Sequence, residues 1–152
     1  MTSPGRLAVS PDRAVRQDGS PVDDGGAVPV RLVCVKHPVT HLRTALDGFS
    51  RSGFEVLWQP DRDWVLLGPV GTGTGAVVLE VHDIELELGA GGVYLVDDVD
   101  AFAEAQDDRN WVIEPCDGPW GRYAALSTRA GLAQRFVDLR ACPADVRGFF
   151  AR

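Results

Sequence analysis

VYLVDDVDAFAEAQ, residues 93–106, is the stretch on which the fold turns. Its first half is rich in β-branched and aromatic residues (Val93, Tyr94, Val96), as a strand requires. After Asp98 the apolar positions shift to helical spacing (Val99, Phe102, Ala103), and Asp98 is placed to cap the first-turn amides. A strand running straight into an acid-capped helix is half of a supersecondary unit, and the chain carries that unit twice. In the earlier copy, RLVCVKHPVTHLRTALDGFSRSGFEVLWQ (31–59), Arg31 to His37 reads as a strand and Thr40 as an N-cap. Leu42, Ala45, Leu46 and Phe49 then form an i, i+3, i+4, i+7 stripe that ends at Gly53 before the strand FEVLW.

Setting Asp98 on Thr40 and Trp111 on Phe54 gives offsets of 58 and 57 residues, and the same offset lays AQRFVDLR (133–140) over AVVLEVHD (76–83). Three landmarks in register point to duplication. The sequence therefore predicts an α+β fold of two tandem βαβββ units, about 30–83 and 91–140, forming one curved mixed sheet around a pocket. Residues 1–29, rich in Pro, Gly, Ser, Asp and Arg, read as a flexible tail, and 30–152 as a single domain. FEVLWQ (54–59) and WVLLG (64–68) read as a hairpin, and IELELGAGG (84–92) as the link between units. GPVGTGTGA (68–76) lacks the lysine and following helix of a phosphate-binding loop and reads as a hairpin loop. The C-terminal CPADVRGFFAR predicts a short helix whose Phe149-Phe150 pair packs on the body or on a second subunit.

The chain has 152 residues and a net charge of −7, with eleven acids against one base, Arg109, between Asp83 and Asp117. Such a field repels phosphate backbones and anionic lipid, so neither nucleic acid nor membrane surface is an expected partner. No apolar run approaches the roughly 20 residues of a membrane span, and no signal peptide is visible. Three widely spaced cysteines, Cys34, Cys116 and Cys142, suit a reducing cytoplasm rather than a disulfide framework or zinc knuckle.

The tandem units, with VYLVDDVDAF opening the second, then PCDGPWGRYAAL (115–126) and TRAGLAQRFVDL (128–139), resemble the vicinal oxygen chelate superfamily of glyoxalases, extradiol dioxygenases and bleomycin-resistance proteins, and most closely its bleomycin-resistance-like members. The segment before the last strand departs from the family's pattern, keeping only Gly131. The resemblance implies paired curved sheets enclosing a pocket. In enzymatic members it implies a divalent metal held from the first and last strand of each unit. Carried over, those positions are Val33 or a near neighbour, Glu80, a residue among 91–93, and Arg135 or, one register off, Phe136. Only Glu80 is a competent ligand, so no metal is expected.

Alternation places Val78, Glu80 and His82 toward the pocket on the fourth strand. On the last strand it is read as placing Gln134, Phe136 and Asp138 inside, with Val137 and Leu139 on the helices. On the first strand Arg31, Val33, Val35 and His37 share a face; were that face concave, His37, Glu80, His82 and Asp138 would converge for acid/base work or a displaced metal. Glu80, a carboxylate flanked by VVL and Val, requires a partner if buried. Trp120 sits in a Gly-Pro-Trp-Gly turn with no core face assigned to it, and Arg122 follows it. Trp58 shares a strand face with Phe54 and Val56. An aromatic wall with a few acids suits a flat or cationic small molecule.

The resemblance and these residues lead to one expectation, a metal-independent small-molecule binder similar to antibiotic-sequestering bleomycin-resistance proteins. Its ligand-binding residues would be Glu80, His82, Trp120, Trp58, Arg122, Phe136 and Asp138, with no cofactor and a homodimeric state. The alternatives are a divalent-metal-dependent lyase, isomerase or dioxygenase of the same superfamily, and an accessory domain whose pocket is vestigial and whose task is dimerisation.

Overall fold

A computed structural model of the chain describes residues 30–106, 111–128 and 130–150. The tail expected over residues 1–29 lies outside them. Strands β1 (Arg31–Pro38), β2 (Phe54–Asp61), β3 (Trp64–Pro69) and β4 (Val77–Glu80) form the first unit with helix α1 (Leu42–Arg51). Strands β5 (Gly91–Leu95), β6 (Trp111–Gly118), β7 (Gly121–Ser127) and β8 (Ala133–Asp138) form the second with helix α3 (Val99–Glu104). The eight strands make one sheet in the order β2-β3-β4-β1-β5-β8-β7-β6. Each half repeats the other: β1 and β4 pair in parallel, as do β5 and β8, and β1 joins β5 antiparallel at the centre. That is the tandem βαβββ arrangement the duplicated sequence predicts.

The sheet curls. Five strand spacings separate β3 from β7, about 24 Å on a flat sheet at ~4.8 Å each. Yet the ring centroids of Trp64, on β3, and Trp120, in the turn into β7, lie 5.4 Å apart. The inner face carries one apolar cluster drawn from both halves, including Cys34, Trp64, Leu66, Val78, Tyr123 and Val137. The outer face carries two. Val65, Leu67, Val77 and Leu79 pack under α1; Ala124, Leu126 and Phe136 pack under α3. The edge strands β2 and β6 each break register twice against their neighbours.

Local chemistry accounts for the helices. Asp98 accepts the Ala101 amide at 3.0 Å and caps α3, as its sequence position requires. Helix α1 begins one residue later than expected: its cap position is His41, whose side chain makes no capping bond, so Thr40 is not the cap. The stripe of α1 nevertheless packs as its spacing predicts, with Leu42 buried and Ala45, Leu46 and Phe49 against the outer face.

Two further helices are what fill the inner face. The link between units holds α2 (Asp83–Leu88), capped by His82 Nδ1, which accepts from the Glu85 amide, and ended by Gly89 at φ +77°. Beyond β8 come α4 (Ala144–Arg147) and a 3-10 turn, Gly148–Phe150. Phe150 is buried in the chain's own inner cluster, with Phe149 packed against it.

Candidate functional site

The centre of the inner face is a charged cluster enclosed by aromatic and aliphatic side chains. Lys36, on β1, reaches Glu80 at the end of β4 at 2.5 Å and Glu85 on α2 at 3.0 Å. Arg135, on β8, donates through Nε to Glu85 Oε2 at 2.8 Å and through Nη2 to the Gly89 carbonyl at 2.5 Å. The Tyr123 hydroxyl donates to Glu85 Oε1 at 2.6 Å, and the Lys36 ammonium lies 4.3 Å from the Tyr123 ring centroid. Arg135 is fully buried, Glu85 is 1% exposed and Lys36 2% exposed. Arg135 fits because β5 presents a glycine beside it: a Cβ on Gly91 would stand 3.0 Å from Arg135 Nη1.

Burial alone would raise the Glu85 pKa. The Lys36 ammonium, the Tyr123 hydroxyl and the Arg135 guanidinium outweigh it and hold the carboxyl below its ordinary value. Tyr123 is pushed far up, first by burial and then by the Glu85 charge beside it. Cys34, on the same face, is pushed up to about 12 by burial, partly offset by Lys36.

Lys36, Glu80 and Arg135 stand on three of the strands from which the resemblance would have a metal held, and together with Glu85 they do not fit one. Lysine and arginine carry only donors. Two cations already balance two carboxylates, so a divalent ion would leave two uncompensated positive charges in a nearly closed site. Among the described residues no three His, Cys, Asp or Glu side chains form a group able to hold a metal.

The sequence expectations divide. Glu80 faces inward and has its partner in Lys36. Trp58 is half-buried and stacks edge-on to Trp64 at 5.2 Å, and Trp64 meets Trp120. Trp120 is not an open wall: it is 1% exposed, in the same cluster, with the Phe150 ring 5.6 Å away. On β8 the expected phase is inverted. Arg135, Val137 and Leu139 lie in or on the inner face. Phe136 packs outside, 4.5 Å from Phe102 of α3, and Asp138 accepts the Val99 amide at 2.9 Å beneath α3. Val137 and Leu139 misled because the inner face here is as apolar as the outer one, and its one arginine is neutralised from α2.

His37 is exposed and lies 6.0 Å from Phe49 on the outer side; His82 is exposed and spent on capping α2. Arg122 pairs with Asp100 and Asp117 on the helix side of β7. His37, Glu80, His82 and Asp138 therefore do not converge. Lys36, Glu85 and Tyr123 were missed by the sequence reading, although Lys36 gave a signal: it is the sole lysine of the chain, inside an apolar strand.

No protein-family model and no curated protein matches the sequence. Solved structures do match. One is the NAD-dependent benzaldehyde dehydrogenase of Legionella pneumophila, 13% identical with a TM-score of 0.52, the match covering 74% of this chain and 100% of that one. Another is homoprotocatechuate 2,3-dioxygenase of Brevibacterium fuscum, 12% identical with a TM-score of 0.50, covering 76% of this chain and 34% of that one. The chain thus spans about a third of the dioxygenase's length. A glyoxalase/bleomycin resistance protein/dioxygenase superfamily member from Vibrio splendidus matches at 21% identity and a TM-score of 0.49, over 72% of this chain and 99% of that one. At these identities the likeness is one of fold. Among the described residues no helix is long and apolar enough to cross a membrane.

Proposed function

We propose that this chain, which has the fold of the vicinal oxygen chelate superfamily, is a metal-independent small-molecule binding protein rather than a metalloenzyme. One observation carries the proposal: Lys36 and Arg135 supply, as fixed side-chain charges, the positive charge that Glu80 and Glu85 would otherwise take from a bound cation. The ligand is a flat aromatic molecule that meets half-buried Trp58 first, at the outer end of a ring series continuing into buried Trp64 and Trp120. Glu80, with 18% of its side chain exposed, gives a basic substituent a carboxylate to approach. Sequestration of an aromatic antibiotic is one use such a site would serve. We place the protein in the reducing cytoplasm, which the three free thiols support, and as a homodimer, which light scattering on the purified protein tests.

The decisive experiment is thermal melting with Ni, Zn, Mn and Fe salts, beside metal analysis of the purified chain. A metal present at a hundred times its Kd stabilises the fold by about 2.7 kcal/mol, a shift of several degrees. The expected result is no shift and no retained metal. Stoichiometric metal with such a shift would restore the metalloenzyme. Tryptophan quenching by a panel of cationic aromatic compounds tests the ligand class, and silence across the panel would return the vestigial-pocket reading.

A further inference from the structure

The inner face is closed by two segments, and they are held differently. Helix α2 is bound by charge: Glu85 takes hydrogen bonds from Lys36, Tyr123 and Arg135. The C-terminal segment 143–150 is seated by Val146 and Phe150, each no more than 3% exposed, with Phe149 beside them. Among the described residues, two of its main-chain carbonyls accept from the first half of the chain. The Gly75 amide donates to Phe149 O at 2.9 Å and Arg31 Nη2 to Phe150 O at 3.1 Å. Arg147 adds two bonds to the loop that leaves β8, donating to the carbonyls of Arg140 and Cys142. Its helical turns are four and three residues long, too short to persist unless seated. The Phe150 ring against Trp120 ends an aromatic series that runs through Trp64 to half-buried Trp58.

From this we propose that the C-terminal segment 143–150 is an internal occupant of the ligand cleft, displaced when ligand binds. Its own contacts define the ligand: a planar aromatic ring in place of Phe150 on Trp120, carrying an acceptor oxygen in place of the Phe149 carbonyl opposite the Gly75 amide. An aryl ketone is the simplest such molecule. The inference rests on the small-molecule reading above and adds the site, the ligand's polarity and a competitor built into the chain. Binding is weakened by the fraction of time the segment stays seated, so loosening the segment tightens binding.

Acridone, a neutral planar aryl ketone, is the probe, and its binding is read by quenching of tryptophan fluorescence in the full chain and in Phe150→Ala. The expected result is at least tenfold tighter binding by the variant. In the unaltered chain, acridone is expected to speed deuterium exchange of the Gly75 amide and of residues 146–150. Should Phe150→Ala not give a cooperative melt, Phe150→Leu replaces it, with at least threefold tightening expected. Equal affinity in variant and unaltered chain, with exchange at Gly75 and 146–150 unmoved, overturns the displacement while leaving a small-molecule binder. Absence of acridone binding by a folded variant overturns the inference. Failure of the cationic aromatic panel as well takes the small-molecule reading down with it.

Discussion

Replacing Glu85 by Gln removes one charge from the centre of the fold with almost no change of shape. Lys36 is left with Glu80, and Arg135 with the Gly89 carbonyl and no carboxylate. Breaking a buried ion pair from one side costs about 3–5 kcal/mol. Glu85 serves two cations and a buried hydroxyl, so we expect the upper part of that range, about 4–5 kcal/mol. For a chain of this size that lowers Tm by about 8–20 °C. Urea unfolding at pH 7 measures it directly. The pH dependence adds a sign. Because Glu85 titrates below its ordinary value when folded, its contribution is complete above about pH 4.3 and disappears as pH falls through the folded pKa. The gap between Glu85→Gln and the unaltered chain is therefore flat from pH 7 to about 5 and narrows in more acidic solution. In Lys36→Met/Glu85→Gln one charge of each sign is gone, and the pair is expected to cost less than the sum of the singles by about 1–3 kcal/mol. A loss below about 1 kcal/mol for Glu85→Gln, or additive singles, refutes the view that these charges neutralise one another.

Two further outcomes are expected. Gly121 has φ +138°, and a Cβ there would lie 2.1 Å from the Asp138 carbonyl oxygen. Gly121→Ala should thus lower stability by about 2 kcal/mol or more in urea; an unchanged midpoint contradicts the packing of the β6–β7 turn on β8. Of the three thiols, only Cys116 is exposed. At pH 8 Ellman's reagent should react promptly with one thiol and reach the others only in denaturant. With Cys34 held up to about 12 by burial, its share of stability is intact below about pH 8.5 and declines as the solution becomes more alkaline; prompt reaction of all three thiols contradicts this.

The duplicated unit was legible because strand-to-helix changes of period survive in a single sequence: Asp98 caps α3 where VYLVDDVDAF says a helix begins. The inner face was less so. Period two assigns Arg135 and Phe136 to opposite sides without saying which side is inner, and the apolar Val137 and Leu139 suit either. What resolves the phase is Glu85, forty-nine residues after Lys36 and fifty before Arg135, in a segment whose alternating IELEL hides a short helix. A partner that remote leaves no local periodicity to find. Trp120 shows the same limit: its turn was visible, while the ring that covers it comes from Phe150 near the far end of the chain.

Both rims of the sheet interrupt their own ladders. β2 carries Pro60 and β6 carries Pro115, and each strand loses register twice along its length. A proline withholds an amide, and each irregularity bends the rim away from a straight template. Lateral growth by an incoming strand is thereby discouraged at both ends, which guards a β-rich chain against fibrous stacking. The same broken rims disfavour edge-to-edge pairing of β2 or β6 with a second copy of the chain.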